Sequence, residues 1–208
     1  MDSDGEPTDN ILFPRNIHVD GIIDSKIVNL KIVSMISRWI DKTDNNSKFS
    51  HLREMYLPYK FELLLRGSRD GFTPKIFHTL CDRKSFTVTF VKVKETDEIL
   101  GGYNPFMWKS TNQWGETKDS FIFSFKNKDN FFKDAILSDV SIIDHAIRYH
   151  RACGPCFNTD LYIDSLKETI DYDNMCCIKF SYEKKIRDID DQFSIEDYEV
   201  YQIVKRKV

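Results

Sequence analysis

What the sequence lacks narrows the options first. No apolar run is long enough to span a bilayer, and the opening residues Met1-Asp2-Ser3-Asp4-Gly5-Glu6-Pro7 are acidic where a secretory or mitochondrial presequence carries basic charge. Membrane insertion is therefore not expected, and the chain reads as cytoplasmic, with nuclear or mitochondrial residence left open. There is no excess of basic charge either: 30 Lys and Arg against 33 Asp and Glu give a net charge of −3. A chain so balanced has no global positive field to draw it onto nucleic acid. Cysteine is scarce and odd in number, five in 208 residues, which argues for reduced thiols rather than a disulfide framework. Internal repeats are absent.

What is present is core material. A hydrophobic share of 41% and 16 Phe with 9 Tyr suffice for one domain of ordinary size and exclude disorder of the whole chain. Residues 1–20 are polar, acidic and broken by Pro7 and Pro14, and are read as a flexible tail ahead of a domain over 21–208. From Asp24, taken as N-cap, Val28, Ile32, Met35, Ile36, Trp39 and Ile40 recur at helical spacing and predict an amphipathic helix over about 25–41.

Beyond it the texture turns to β. Phe61–Leu65 predicts a strand and Arg66–Gly71 a turn, while Thr73–Leu80 predicts a short helix with Thr73 as cap and Pro74 at its first position. Phe86–Val93 and Glu98–Tyr103 form a predicted hairpin, and Asp119–Phe125 alternates aromatic with small residues. Further strands are expected at Asp160–Asp164, Cys176–Tyr182 and Tyr198–Val204. The gaps are too short for crossover helices, so an antiparallel sandwich edged by short helices is expected rather than a parallel sheet.

Several constellations could carry chemistry. Cys153-Gly154-Pro155-Cys156 is the sharpest, because a CxxC at a helix N-terminus supplies an attacking thiolate, here Cys153, and a resolving thiol, Cys156. The flanks of this tetrapeptide predict neither a preceding buried strand nor a following helix, and its Gly and Pro fit a turn. His150, Cys153, Cys156, Cys176 and Cys177 make a superficial zinc inventory. The vicinal pair would point to opposite sides of a strand, which favours one core and one surface thiol over metal binding. Ser68, Asp70 and His78 could suggest hydrolysis, but no GxSxG elbow accompanies them; Arg69 and Asp70 read as an ion-paired loop and His78 as a hydrogen-bonded helix histidine. No phosphate loop follows Gly67 and Gly71, and Asp171–Asn174 lacks the Gly and Glu of an EF-hand. Lys184–Arg187 and Lys205–Lys207 are short solubilising basic patches. No cofactor or metal is expected.

A family resemblance ties these pieces together. The run Phe61-Glu62-Leu63-Leu64-Leu65-Arg66-Gly67-Ser68-Arg69-Asp70-Gly71-Phe72, followed by Phe77-His78 and Cys81-Asp82, resembles the TLDc domain of the oxidation-resistance family. Ile99-Leu100-Gly101-Gly102-Tyr103 with Trp108 is similar to its Gly-Gly strand, and Asp119-Ser120-Phe121-Ile122-Phe123-Ser124-Phe125 to its D-S-F-I-F-S strand. Gly154-Pro155 with Phe157 and Asp160-Leu161 is similar to its G-P-x-F-G…D-L segment, and Phe193 with Ile195–Tyr201 to its closing strand. The likeness runs over roughly residues 22–204, departing at Cys156, where Ser or Thr is usual, and at Asn158, where Gly is usual. It implies a mainly β, α+β fold: a two-sheet antiparallel β-sandwich flanked by short helices. It also implies a monomeric, non-enzymatic protein-interaction module of the oxidative-stress response, with peripheral subunits of the vacuolar proton-pumping ATPase (V-ATPase) as the protein partner. Arg66, Ser68, Arg69, Asp70, His78, Gly101, Gly102 and Gly154 are the motif residues through which such a role would act. A thiol-disulfide oxidoreductase using Cys153 and Cys156 stands as the alternative.

Overall fold

A computed structural model describes residues 23–43, 57–126, 134–164, 174–189 and 192–206. The acidic tail over 1–20 and the Asp171–Asp173 acidic stretch lie outside the described residues.

Six strands form the central sheet: β1 (Tyr59–Arg66), β2 (Thr87–Val93), β3 (Ile99–Asn104), β5 (Phe121–Phe125), β6 (Ile136–Asp139) and β11 (Ile195–Lys205). Their order is β1-β11-β2-β3-β5-β6, and every pairing is antiparallel. A second layer is divided between a three-stranded sheet of β8 (Cys153–Phe157), β9 (Leu161–Asp164) and β10 (Asn174–Cys176) and a two-stranded one of β4 (Gln113–Gly115) and β7 (Ile147–Tyr149). The expected antiparallel, mainly β architecture with short helices is the one observed, with the second sheet broken in two.

Period-two alternation decides which side chains meet which layer. Val88, Phe90, Phe121, Phe123, Phe125, Tyr201 and Ile203 face one side of the central sheet and pack against helix α1 (Leu30–Ile40), which contributes Ile32, Val33, Ile36 and Trp39. Trp39 stacks on Phe125, with ring centroids 5.7 Å apart. Val91, Val93, Leu100, Ile122 and Val200 face the other way, toward Trp108, Tyr149, Phe157, Leu161 and Tyr182. Trp108 sits at the centre of that layer: Phe77, Tyr149 and Phe157 meet its ring edge-to-face, and its Nε1–H donates to Thr87 Oγ1 at 2.8 Å.

α1 begins later than the sequence suggests. Its N-cap is Asn29, whose Oδ1 accepts from the Ile32 N–H, instead of Asp24. Ser25 Oγ accepts from the Ile27 and Val28 amides and so holds the preceding residues in a turn. Helix α3 (Pro74–Cys81) has the expected cap, with Thr73 Oγ1 accepting from Ile76 N–H and proline at the first turn. Between β1 and α3, residues Gly67–Asp70 form a single helical turn, α2, which ends at Gly71 with φ 109°, a left-handed conformation suited to glycine.

Three local expectations need correcting. Cys153–Phe157 is strand β8, not a turn; the chain reverses just before it, at Arg151-Ala152, where Cys153 N–H donates to His150 C=O. Gly154 and Pro155 fall where the β8–β9 register shifts, a bulge that accommodates a proline lacking its N–H. The strand expected over Cys176–Tyr182 stops at Cys176, because the amides of Phe180, Ser181 and Tyr182 turn to the Asp160 carboxylate at 2.8, 2.7 and 3.1 Å. Cys176 and Cys177 are both buried, so neither is a surface thiol. No helix among the described residues is long and apolar enough to cross a membrane.

Candidate functional site

The residues singled out by sequence separate into a buried set and an exposed corner. Arg66 and Glu199 are cross-strand neighbours on β1 and β11, and Arg66 Nε donates to Glu199 Oε1 at 2.7 Å with both side chains buried. Its Nη2 reaches back to the carbonyl and the carboxylate of Asp24 at 2.7 and 2.9 Å. Burial by itself would lower the pKa of this guanidinium, but hydrogen bonds to Asp24 and Glu199 outweigh it and raise the pKa. Glu199 also accepts from the Lys26 amide, the Ser25 hydroxyl and the Tyr201 hydroxyl. The network fastens the chain before α1 to the sheet.

The neighbouring turn has its own closed set of bonds. Asp70 accepts from the Arg66 amide at 2.9 Å and from Arg69 through two bonds of 2.8 Å each. The Arg69 hydrogen bond is the main reason the Asp70 carboxyl lies below its ordinary pKa. Ser68 gives both its amide and its hydroxyl to Asp197, at 2.8 and 2.6 Å. Ser68 and Arg69 are the members of this turn most open to solvent.

His78 is not paired with Ser68. Its Nδ1 meets Asp82 Oδ1 at 2.8 Å and its Nε2 meets the His150 carbonyl at 3.1 Å, tying α3 to the turn before β8. Asp82 in turn accepts from Ser110 Oγ. With Ser68 on Asp197 and both His78 nitrogens occupied, the Ser68, Asp70 and His78 triple is not assembled as a nucleophile with its base.

The glycines carry packing. A Cβ on Gly101 would lie 2.3 Å from both the Thr89 carbonyl oxygen and the Phe123 ring, and one on Gly102 would lie 2.6 Å from the Phe157 ring. The register of β3 is regular on both sides, and the strand closes tightly over Phe123 and Phe157. Gly154 is buried within β8.

Cys153 and Cys156 lie on strand β8 and not at a helix terminus. Cys153 Sγ lies 3.5 Å from His150 Nδ1 and 3.9 Å from Asp164 Oδ1. Burial, reinforced by the Asp164 carboxylate, pushes the Cys153 thiol up to about 11. Burial likewise raises Cys156, which donates to the Asn158 carbonyl at 3.4 Å. At neutral pH both are thiols, the poorly nucleophilic form. Among the described residues no three His, Cys, Asp or Glu side chains converge as metal ligands.

Two clefts flank the turn at Arg151-Ala152. One, of about 680 Å3, has His78, Asp82, Ser110, Lys75 and Arg151 in its wall. The other, of about 370 Å3, is walled by Arg148, His150, Cys153, Tyr162 and Asp164. Sequence reasoning missed these clefts, the Asp160 clamp and the partners Glu199 and Asp197. For Glu199 a signal existed: a lone carboxylate inside the run Tyr198, Val200, Tyr201 is a buried charge in need of a cation.

A comparison with curated proteins finds no match. The family model for the TLDc domain matches residues 22–204, and this span takes in the Arg66–Gly71 turn, the Gly101-Gly102 strand and β11. The order and packing of those elements, together with a match over nearly the whole sequence, lead to one assignment: the chain belongs to the TLDc domain family.

Proposed function

We propose that this TLDc domain is a cytoplasmic, monomeric protein-interaction module of the oxidative-stress response, and that its partners are peripheral subunits of the V-ATPase. The observation that carries this reading is the family match over residues 22–204, since TLDc proteins commonly serve the oxidative-stress response. The geometry is in keeping with binding rather than turnover: Ser68, Asp70 and His78 are committed to bonds within the fold, and the Cys153 and Cys156 thiols are buried with raised pKa values. The open corner of the Arg66–Gly71 turn, Ser68 with Arg69, is the surface on which the partner docks.

The test is co-precipitation of purified V-ATPase peripheral subunits by wild type, by Cys153→Ser/Cys156→Ser and by Arg69→Ala, with a dithiol–disulfide exchange assay on the same preparations. Retention by wild type and the serine variant, weaker retention by Arg69→Ala, and no exchange activity is the expected pattern. Exchange activity that the serine changes abolish, or failure of wild type to retain any subunit, would overturn the proposal.

A further inference from the structure

The walls of the two clefts hold cations that form no ion pair among the described residues. Around the Arg151-Ala152 turn, Lys75, Arg148 and Arg151 are exposed and form no ion pair among the described residues. The two carboxylates in the walls are already engaged, Asp82 with His78 and Ser110, and Asp164 with the Cys153 thiol. Arg148 lies over the Trp114 ring at 5.5 Å, and His145 meets the same ring edge-on at 4.7 Å. Trp114 remains 43% exposed. In a chain of net charge −3, this face places three exposed cations around two engaged carboxylates, beside an exposed aromatic.

From this we infer that the face formed by the two clefts and Trp114 binds an acidic peptide segment, whose carboxylates meet Lys75, Arg148 and Arg151 while an apolar side chain packs on Trp114. Charge complementarity selects the occupant. The cations are distributed around two clefts instead of converging on one point, which suits a spaced series of carboxylates better than a single compact anion. Asp82 and Asp164 stand between the cations and disfavour the uniform charge of a nucleic acid or an anionic bilayer, whereas a peptide can place uncharged residues opposite them. Arg and Trp in contact are the side chains most often found at the energetic centre of protein interfaces. The inference goes beyond the proposed function, since it requires no ATPase subunit and concerns a surface other than the Ser68–Arg69 corner.

The test is fluorescence anisotropy of a fluorescein-labelled Glu-rich peptide with one central Leu, titrated with the purified chain at low and at physiological salt. A Lys-rich counterpart serves as the opposite-charge probe. Wild type binds the Glu-rich probe, more weakly as salt rises, and Arg148→Glu/Arg151→Glu weakens it by about tenfold or more. Trp114→Ala also weakens binding, whereas Lys31→Glu on the exposed side of α1 leaves it unchanged. Circular dichroism melts confirm that each variant folds, and Arg148→Gln/Arg151→Gln replaces the charge reversal if that variant does not. Equal binding by the folded Arg148/Arg151 variant overturns the inference. So does a wild type that binds inorganic phosphate, phosphatidylserine vesicles or single-stranded RNA in preference to the peptide. If this assay fails while ATPase subunits are still retained, the interaction-module reading stands and only this surface is withdrawn.

Discussion

Replacing Arg66 with Met tests the account of the buried network. The side chain is 7% exposed and its partner Glu199 is fully buried, so the change strands a carboxylate in the interior. Glu199 keeps three donors, the Lys26 amide and the hydroxyls of Ser25 and Tyr201, but loses the cation that Arg66 supplies. Removing one partner of a buried pair costs about 3–5 kcal/mol, against roughly 5–15 kcal/mol for a whole domain. The damage is also local: the Asp24 carbonyl loses Arg66 and is left sharing the one Tyr201 hydroxyl proton with Glu199, so the Lys26 amide should exchange faster. In the double variant Arg66→Met/Glu199→Met no charge is stranded, and it should cost less than the two single changes summed, with a coupling of about 1–3 kcal/mol. Urea unfolding followed by tryptophan fluorescence reads both quantities. Salt should reproduce neither, because the pair is shielded from solvent ions. A single-variant loss below about 1 kcal/mol, or strict additivity in the double, would refute the claim that this pair holds the segment before α1 to the sheet.

Further outcomes follow from distances already given. Gly101→Ala should destabilise more than Gly102→Ala, because its new methyl meets the Thr89 backbone as well as a ring, whereas the atoms nearest a Gly102 methyl all belong to the Phe157 ring. Thermal melts should place Gly102→Ala at about 1–3 kcal/mol, the range for overpacking, and Gly101→Ala beyond it. Cys153 should react with iodoacetamide slowly at neutral pH, with a rate that climbs toward about pH 11. Asp164→Asn removes a nearby anion, lowers the thiol's pKa and should speed that reaction. For Asp70 the folded pKa is depressed, so its contribution is present above the ordinary value of 3.8 and is lost as pH falls through the lower folded value. Arg69→Ala should move the carboxyl back up in an NMR titration, with a stability change below about 1 kcal/mol because Arg69 is half exposed.

Much of the fold was legible because it is local. Thr73-Pro74 announces α3 through capping chemistry that involves four consecutive residues, and β5 shows its two faces in the alternation of Phe121, Phe123 and Phe125 with Ile122 and Ser124. The illegible parts depend on partners distant in sequence. Nothing near Asp160 reveals that its carboxylate will gather three amides some twenty residues later, and that gathering is what ends the strand expected up to Tyr182. Asp24 looked like a cap because its short-range pattern fits one, but Arg66 and Tyr201 claim it from across the domain. The CGPC string shows the same limit at the candidate site: thiol reactivity is set by burial and by Asp164, and a tetrapeptide encodes neither. The cationic clefts were hidden for a similar reason, since Lys75 and Arg151 are brought together only when His78 ties α3 to the His150 carbonyl.

The position of β11 has a consequence for biosynthesis. This strand, drawn from residues 195–205, lies between β1 and β2, second from the edge of the central sheet. A nascent chain emerging from the ribosome therefore exposes β1 and the β2–β3 hairpin as two separated fragments with a strand-wide gap between them. The gap cannot close until Lys205 has cleared the exit tunnel. Until then the aromatic face that α1 covers is incomplete, and the pairing that finishes it spans most of the chain's length, a slow step that favours chaperone attendance over folding during translation.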